Sequence, residues 1–332
     1  MINWGLIGCG EISQKRVAPA IKGAPKSRII AAMSPFEEEL NDFVEKFAIT
    51  KKYTKIEDIL GDEEINAVYI ATPVFTHYEL ALAALKSGKH VLLEKPMAMT
   101  NEQCHALVTE AAKGNVKLGI AYYRRFFPKM AEVKKLIREG VIGEIIQVRI
   151  LYHSWRGETD SWRVKKSQSG GGPLWDMGCH KIDMLIDLVG MPVSASALMS
   201  TLTHSYEVED SCSMIMELEN GAHCLASFNW NSKVWSDEFE ILGTDGKIVM
   251  NPCDSDNLQL IHNPEKIRGL GKEITTVSLP NHSNIHYPLV EDFVHAVLEN
   301  RCPVITGEEG YKTNRVLAAI EESIQKGKRI NI

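Results

Sequence analysis

The first 121 residues alternate strand and helix so regularly that only a layered α/β unit accommodates them. Mostly apolar runs at 2–7, 28–33, 67–71, 90–93 and 117–121 are separated by helix-like segments at 12–21, 36–47, 75–86 and 101–113. Runs that stay apolar on successive residues fit strands covered on both faces, as in a parallel sheet. In such a sheet ligands bind outside the carboxyl ends of the strands, where the strand order reverses. The residues that follow the runs are therefore the ones to read for chemistry: Gly8-Cys9-Gly10, Ser34, Thr72-Pro73 and Glu94-Lys95-Pro96.

The stretch GCGEIS at 8–13 keeps two glycines of a G-x-G-x-x-G dinucleotide fingerprint and has Ser13 in place of the third. Alone it is either a plain tight turn or a cradle in which backbone N–H groups approach a pyrophosphate at a helix N-terminus. A strand before it, a helix after it and a βαβ unit of the right length favour the cradle. Lys95 closes the run HVLLE and precedes a proline. It is either a surface lysine in a loop or a side chain projecting into the crevice, where partial burial lowers its pKa and suits it to proton transfer.

Beyond residue 121 the pattern changes. A helix at 128–140 leads to a strand at 144–152 and a long loop with Trp155, Arg156, Trp162 and Arg163. Gly170-Gly171-Gly172-Pro173 then opens an apolar helix at 173–189, whose polar residues Asp176, His180, Asp183 and Asp187 form one narrow stripe facing a cleft or solvent. The Asp176/His180 pair admits three readings at this point: a solvated helix face, ligands of a metal, or an acid–base histidine oriented by a carboxylate. No HExxH or other histidine-rich set accompanies the pair, so no metal is expected. Strand-length runs at 193–203, 208–218 and 221–230, with turns at Asn220-Gly221 and Thr244-Asp245-Gly246, indicate an antiparallel sheet. Helices at 288–299 and 308–325 close the chain, and Trp230 and Trp235 are expected as packing residues. Two domains are expected. Residues 1–121 form a doubly wound parallel sheet of the Rossmann, dinucleotide-binding type; residues 122–332 form an α+β domain with a large, mostly antiparallel, open-faced sheet.

Composition narrows the partners. Asp and Glu number 43 against 37 Lys and Arg, a formal net charge of −6, which argues against a nucleic-acid backbone. No eighteen apolar residues run together, and MINWGLIG lacks a basic region ahead of an apolar core, so no membrane partner is expected. Seven cysteines without a C-x-x-C pair read as reduced thiols of a cytoplasmic protein. A broad sheet carrying Trp and Met residues is expected to be covered in a homodimer or homotetramer.

The ordered set GCGEIS, ATPVFTH, GKHVLLEKP, the WR ahead of SGGG, and GGGPLWDMGCH resembles the Gfo/Idh/MocA oxidoreductases over essentially the whole chain. The resemblance implies hydride transfer between NAD or NADP and a secondary alcohol or ketone of a small-molecule sugar, cyclitol or related polyol. It implies that Gly8, Gly10, Glu11 and Ile12 form the pyrophosphate loop, and that Thr72, Pro73 and His77 contact the cofactor. Glu94 and Lys95 look like the pair on the nicotinamide side. Trp162 and Arg163 resemble second-domain residues that reach back to the cofactor, and Tyr287 falls where a tyrosine contributes to the same pocket. Lys95, Asp176 and His180 match the family's catalytic set, which turns the open choice at Asp176/His180 towards acid–base catalysis. Two departures stand out. Ala121 occupies a position where related enzymes often have a cofactor-contacting asparagine, and Ser34-Pro35 replaces the Asp that takes both ribose hydroxyls in NAD enzymes. No arginine stands beside Ser34 either, and the missing carboxylate tilts the expectation towards NADP. The alternative reading is a redox-assisted glycosidase or lyase with a tightly bound, internally recycled NAD.

Overall fold

Six strands from the first 120 residues lie side by side, all parallel, in a computed structural model that describes residues 1–263 and 273–332. They are β1 (Ile2–Ile7), β2 (Ser27–Met33), β3 (Lys51–Tyr53), β4 (Ala67–Ile70), β5 (His90–Leu93) and β6 (Leu118–Ile120), in the order β3-β2-β1-β4-β5-β6. The helices α1 (Ala18–Gly23), α2 (Glu37–Phe47), α3 (Ile56–Gly61), α4 (His77–Lys86) and α5 (Asn101–Gly114) connect them. Leu6, Ile7, Val68, Tyr69, Ile70, Leu92 and Leu93 are all buried, as a parallel sheet covered on both faces requires. The register matters more for function. Ile7 pairs with Met33 and Ile70, Ile70 with Leu93, and Leu93 with Ile120, so the strands end level. Each next residue extends the ladder: Gly8 N–H donates to Met33 O at 2.9 Å, Ala71 to Ile7 at 2.9 Å, Glu94 to Ile70 at 3.0 Å and Ala121 to Leu93 at 2.8 Å. The glycine turn, Ser34, Thr72-Pro73 and Glu94-Lys95 therefore follow one edge of the sheet, at the reversal between β1 and β4.

The rest of the chain supplies α6 (Pro128–Arg138), β7 (Ile145–Trp155), the single turn α7 (Lys166–Ser169), α8 (Cys179–Val189), β8 (Pro192–Ser200), β9 (Ser211–Leu218) and β10 (His223–Asn229). After them come β11 (Asn231–Gly243), β12 (Gly246–Met250), β13 (Asn257–His262), β14 (Glu273–Ser278), α9 (Tyr287–Leu298), α10 (Gly307–Lys326) and β15 (Ile330–Asn331). Among the described residues, nine strands form a second sheet in the order β14-β13-β12-β11-β7-β10-β9-β8-β15. Its pairs are antiparallel except β7 with β10. Period-two patterning sets its inner face: Cys212, Met214, Met216 and Leu218 on β9, and Cys224, Ala226 and Phe228 on β10, are buried, while Ile215 and Leu225 are exposed. Among the described residues, no helix is long and apolar enough to cross a membrane.

The single cut expected at residue 121 gives way to a different grouping. Met1–Tyr123 and His282–Asn314 make one compact unit; Arg124–Asn281 and Arg315–Ile332 make the other. The late segment joins the first unit because it covers apolar surface there. The Phe293 ring of α9 lies 5.6 Å from that of Trp4, Asn284 Nδ2 donates to Arg16 O at 2.8 Å, and Gly119 bridges to Thr306.

Candidate active site

In the first unit the glycine turn is built around a backbone that only glycine tolerates. Gly8 has φ +96°, and a Cβ there would stand 2.7 Å from Ala71 O and 2.9 Å from Thr72 Cγ2. Ser13, where a third glycine was expected, is buried and its hydroxyl donates to Gly8 O at 2.6 Å, closing the turn from within. The following helix opens with a π-turn, Ser13–Val17, before continuing as α1. Gly10 is different: among the described residues, and apart from its own chain neighbours, the one heavy atom within 4 Å of its would-be Cβ is Glu39 Oε1, at 3.8 Å. That open backbone suits the close approach of a pyrophosphate, so the loop fits a dinucleotide. Glu11 and Ile12 are exposed, and Glu11 pairs with Lys15 at 2.5 Å. Ser34 is buried; its hydroxyl accepts from Phe36 N–H at 3.3 Å and donates to Glu39 Oε2 at 2.9 Å. Burial, with the Glu39 charge adding, pushes the neighbouring Cys9 thiol up to about 12.

The ends of β4 and β5 are tied together. Thr76 donates to Pro73 O at 2.8 Å, which leaves Thr72 as the donor in its 2.7 Å contact with Thr76. The buried His77 ring reaches Pro96 O at 2.8 Å and Thr72 O at 2.9 Å. Glu94 accepts from Tyr69 OH at 2.8 Å and from Lys95 N–H at 3.3 Å, and His286 Nε2 stands 3.5 Å from its Oε1. Burial works to raise the Glu94 pKa, but His286, Tyr69 and Lys95 together hold it below the ordinary carboxylate value. Lys95 is partly buried and its peptide to Pro96 is cis. Tyr287 is not in this group: its hydroxyl donates to Glu291 at 2.8 Å and its ring stacks on His282 at 4.3 Å. The residue that the start of α9 brings to Glu94 is His286, whose ring also lies 4.6 Å from Tyr123. Sequence reading missed it. Its signal was weak, a histidine directly before Tyr287.

In the second unit the triple glycine is a packing device. A Cβ on Gly171 would meet the Trp175 ring at 2.3 Å, and one on Gly172 would meet Glu209 O at 2.0 Å. Trp175 Nε1 donates to Glu321 at 3.1 Å. The helix again opens with a π-turn, Leu174–Gly178, which carries Asp176. Asp176 is partly exposed between Arg156 Nη2 at 3.7 Å and Arg163 Nε at 3.9 Å. Those guanidiniums lie over aromatic rings, Arg156 on Trp230 at 4.1 Å and Arg163 on Trp162 at 4.5 Å. His180 is 3% exposed in the first turn of α8. The polar stripe is therefore no solvated face. Asp183 is fully buried and takes Arg125 through Nε at 3.0 Å and Nη2 at 2.7 Å, while Asp187 binds Lys134 at 2.7 Å. Trp230 is buried as expected, but Trp235 is 54% exposed, beside an irregularity where β11 loses register against β7. Asp237, Cys253 and Asp254 converge as metal ligands would. The ammonium of Lys181 already stands 2.5 Å from Asp237 and 3.7 Å from Asp254.

Two family models match the chain. Residues 2–122 match the oxidoreductase family's NAD-binding Rossmann fold, and 130–249 match the GFO/IDH/MocA C-terminal domain. An oxidoreductase of Formosa agariphila is 33% identical over 74% of this chain and 78% of its own length. A 1,5-anhydro-D-fructose reductase of Ensifer adhaerens is 32% identical over 75% of each. Among solved structures, a levoglucosan dehydrogenase in complex with NADH superposes with a TM-score of 0.91 at 27% identity, covering 100% of this chain and 99% of that one.

Proposed function

The chain belongs to the GFO/IDH/MocA oxidoreductases, and on that premise we propose that it transfers hydride between a nicotinamide dinucleotide and a secondary alcohol or ketone carbon of a sugar, cyclitol or related polyol. The observation that carries this reading is the level ending of β1, β2, β4 and β5, which sets the Gly8 turn, Ser34, Thr72-Pro73 and Glu94-Lys95 along one edge of the NAD-binding fold. The bound nicotinamide supplies the hydride acceptor or donor; the protein positions the partners and handles the proton.

Lys95 stabilises the alkoxide by charge and hydrogen bonding. His180 accepts the hydroxyl proton in the oxidative direction, and Asp176 orients that imidazole or a substrate hydroxyl. Six of the seven cysteines are buried and all are free, which supports a reducing compartment such as the cytoplasm.

A panel of sugars, cyclitols and their keto forms, screened by absorbance of the reduced nicotinamide, tests the activity. In the same assay His180→Ala should lower kcat by roughly two to four powers of ten with little change in dinucleotide affinity. Lys95→Ala should also cripple kcat, and the double variant should be little worse than the poorer single one. A normal kcat in His180→Ala removes His180 from the mechanism. Turnover without added dinucleotide and without net reduction would point instead to the redox-assisted lyase.

A further inference from the structure

The expectation of NADP rested on a missing carboxylate beside Ser34, and the structure supplies one. We propose that Glu39 is the cofactor-selecting residue of this site: its carboxylate receives the adenosine ribose hydroxyls, excludes a 2′-phosphate, and makes the chain an NAD enzyme. This rests on the dinucleotide-binding reading above and refines it.

The geometry begins with Ser34. It follows β2, the neighbour of β1, and the two strand ends are joined by the Gly8 N–H bond to Met33 O at 2.9 Å. In an open α/β sheet of this order, the end of the second strand is where the adenosine ribose is read. Ser34 has no carboxylate of its own. Its hydroxyl accepts from Phe36 N–H, so its proton points onward, to Glu39 Oε2 at 2.9 Å. That bond draws the longer Glu39 side chain back from the first turns of α2 towards the strand end. The other oxygen, Oε1, faces the open side of Gly10 at 3.8 Å from its Cβ position. One carboxylate thus borders both the ribose end of β2 and the pyrophosphate loop.

Charge then decides between the two cofactors. A 2′-phosphate carries close to two negative charges at neutral pH. From 29 to 45 the sequence offers no Lys, Arg or His to meet it, only Glu37, Glu38, Glu39, Asp42 and Glu45. A ribose diol, by contrast, donates two hydrogen bonds that a carboxylate accepts well.

Equilibrium titration of the purified protein with NADH and with NADPH, followed by nicotinamide fluorescence, tests the assignment without relying on turnover. The wild type should bind NADH at least about tenfold more tightly than NADPH, the factor that a 1.4 kcal/mol difference produces. Glu39→Gln, which keeps the shape and removes the charge, should close most of that gap, and Glu39→Arg should reverse it. Ser34→Ala, which releases the carboxylate from its anchor, should narrow the gap partway. Equal affinities in the wild type, or a ratio unmoved by Glu39→Gln, overturn the role of Glu39 and leave the dinucleotide site standing. A wild-type protein that binds neither dinucleotide overturns the underlying reading and this assignment with it.

Discussion

Glu94 keeps its charge at a depth where a lone carboxylate would hold a proton, and the groups that allow it come from three places in the chain. Tyr69 reaches it from the neighbouring strand, Lys95 from the next residue, and His286 from the turn before α9. Because the folded pKa lies below the ordinary 4.5, the stability Glu94 contributes is fully present above that value and is lost as the pH falls through the folded value. Removing His286 takes away one of the groups that offset burial, so the Glu94 pKa rises and the acid limb of unfolding moves to higher pH. His286→Phe keeps a ring beside Tyr123 but has no N–H to offer. We expect it to lose about 1–3 kcal/mol at neutral pH. Its melting temperature should also begin to fall at a higher pH than that of the wild type on acidification. His286→Gln, which retains a donor, should recover part of the difference. Superimposable melting curves from about pH 7 to pH 4 for His286→Phe and the wild type would mean that His286 does not support the Glu94 charge.

At the scale of elements, α8 shows both what periodicity reveals and where it fails. The apolar pattern over 173–189 is helical, but the segment starts as a π-turn, Leu174–Gly178, whose extra residue per turn shifts Asp176 out of phase with α8. The four polar residues read as one stripe therefore do different things: Asp176 meets arginines from the loop, while Asp183 and Asp187 are consumed by α6 and its approach. Asp183→Asn would remove the carboxylate charge that faces the buried Arg125 guanidinium, 4% exposed, while the 3.6 Å contact from Arg125 to Asp187 stays in place. A loss of about 3 kcal/mol in urea unfolding is expected, the lower end for breaking a buried pair. An Asp183→Leu, Arg125→Met double variant should recover much of it. Strands β1 and β5 were legible to the residue because buried parallel strands are mostly apolar runs without a two-residue alternation. By contrast, β3 (Lys51–Tyr53) and α3 (Ile56–Gly61) were not, since three residues with two lysines carry no period and one and a half helical turns carry little. The same distinction governs the site. Gly8, Ser34, Thr72 and Lys95 follow strands and were found by counting strand ends. Glu39 and His286 reach the edge through side chains of α2 and of the turn before α9, and no local pattern announces such a reach.

At the scale of the whole molecule, the second sheet leaves one face to be covered. On that face Leu225 pairs across strands with Ile215, Ile215 with Ser196, and Leu198 with Ser213. Leu198 is 79% exposed, Ile215 53% and Leu225 38%. Apolar residues clustered across three adjacent strands are unfavourable in water, and such a face can match its own copy about a two-fold axis. We propose that a second copy of this chain covers it, in a homodimer or homotetramer. Light scattering at micromolar concentration should then give a mass that is a multiple of 37.1 kDa. Ile215→Lys with Leu225→Lys places two like charges directly opposite each other on adjacent strands and repeats them across the two-fold contact, so the assembly should dissociate. Some loss of stability is expected from the pairing itself, so a second variant, Leu198→Lys, tests the interface without placing charge against charge. Circular dichroism should show both variants folded while the scattering mass drops towards that of one chain. A wild-type protein that runs as a monomer, or variants that keep the wild-type mass, would show that this face is left to solvent.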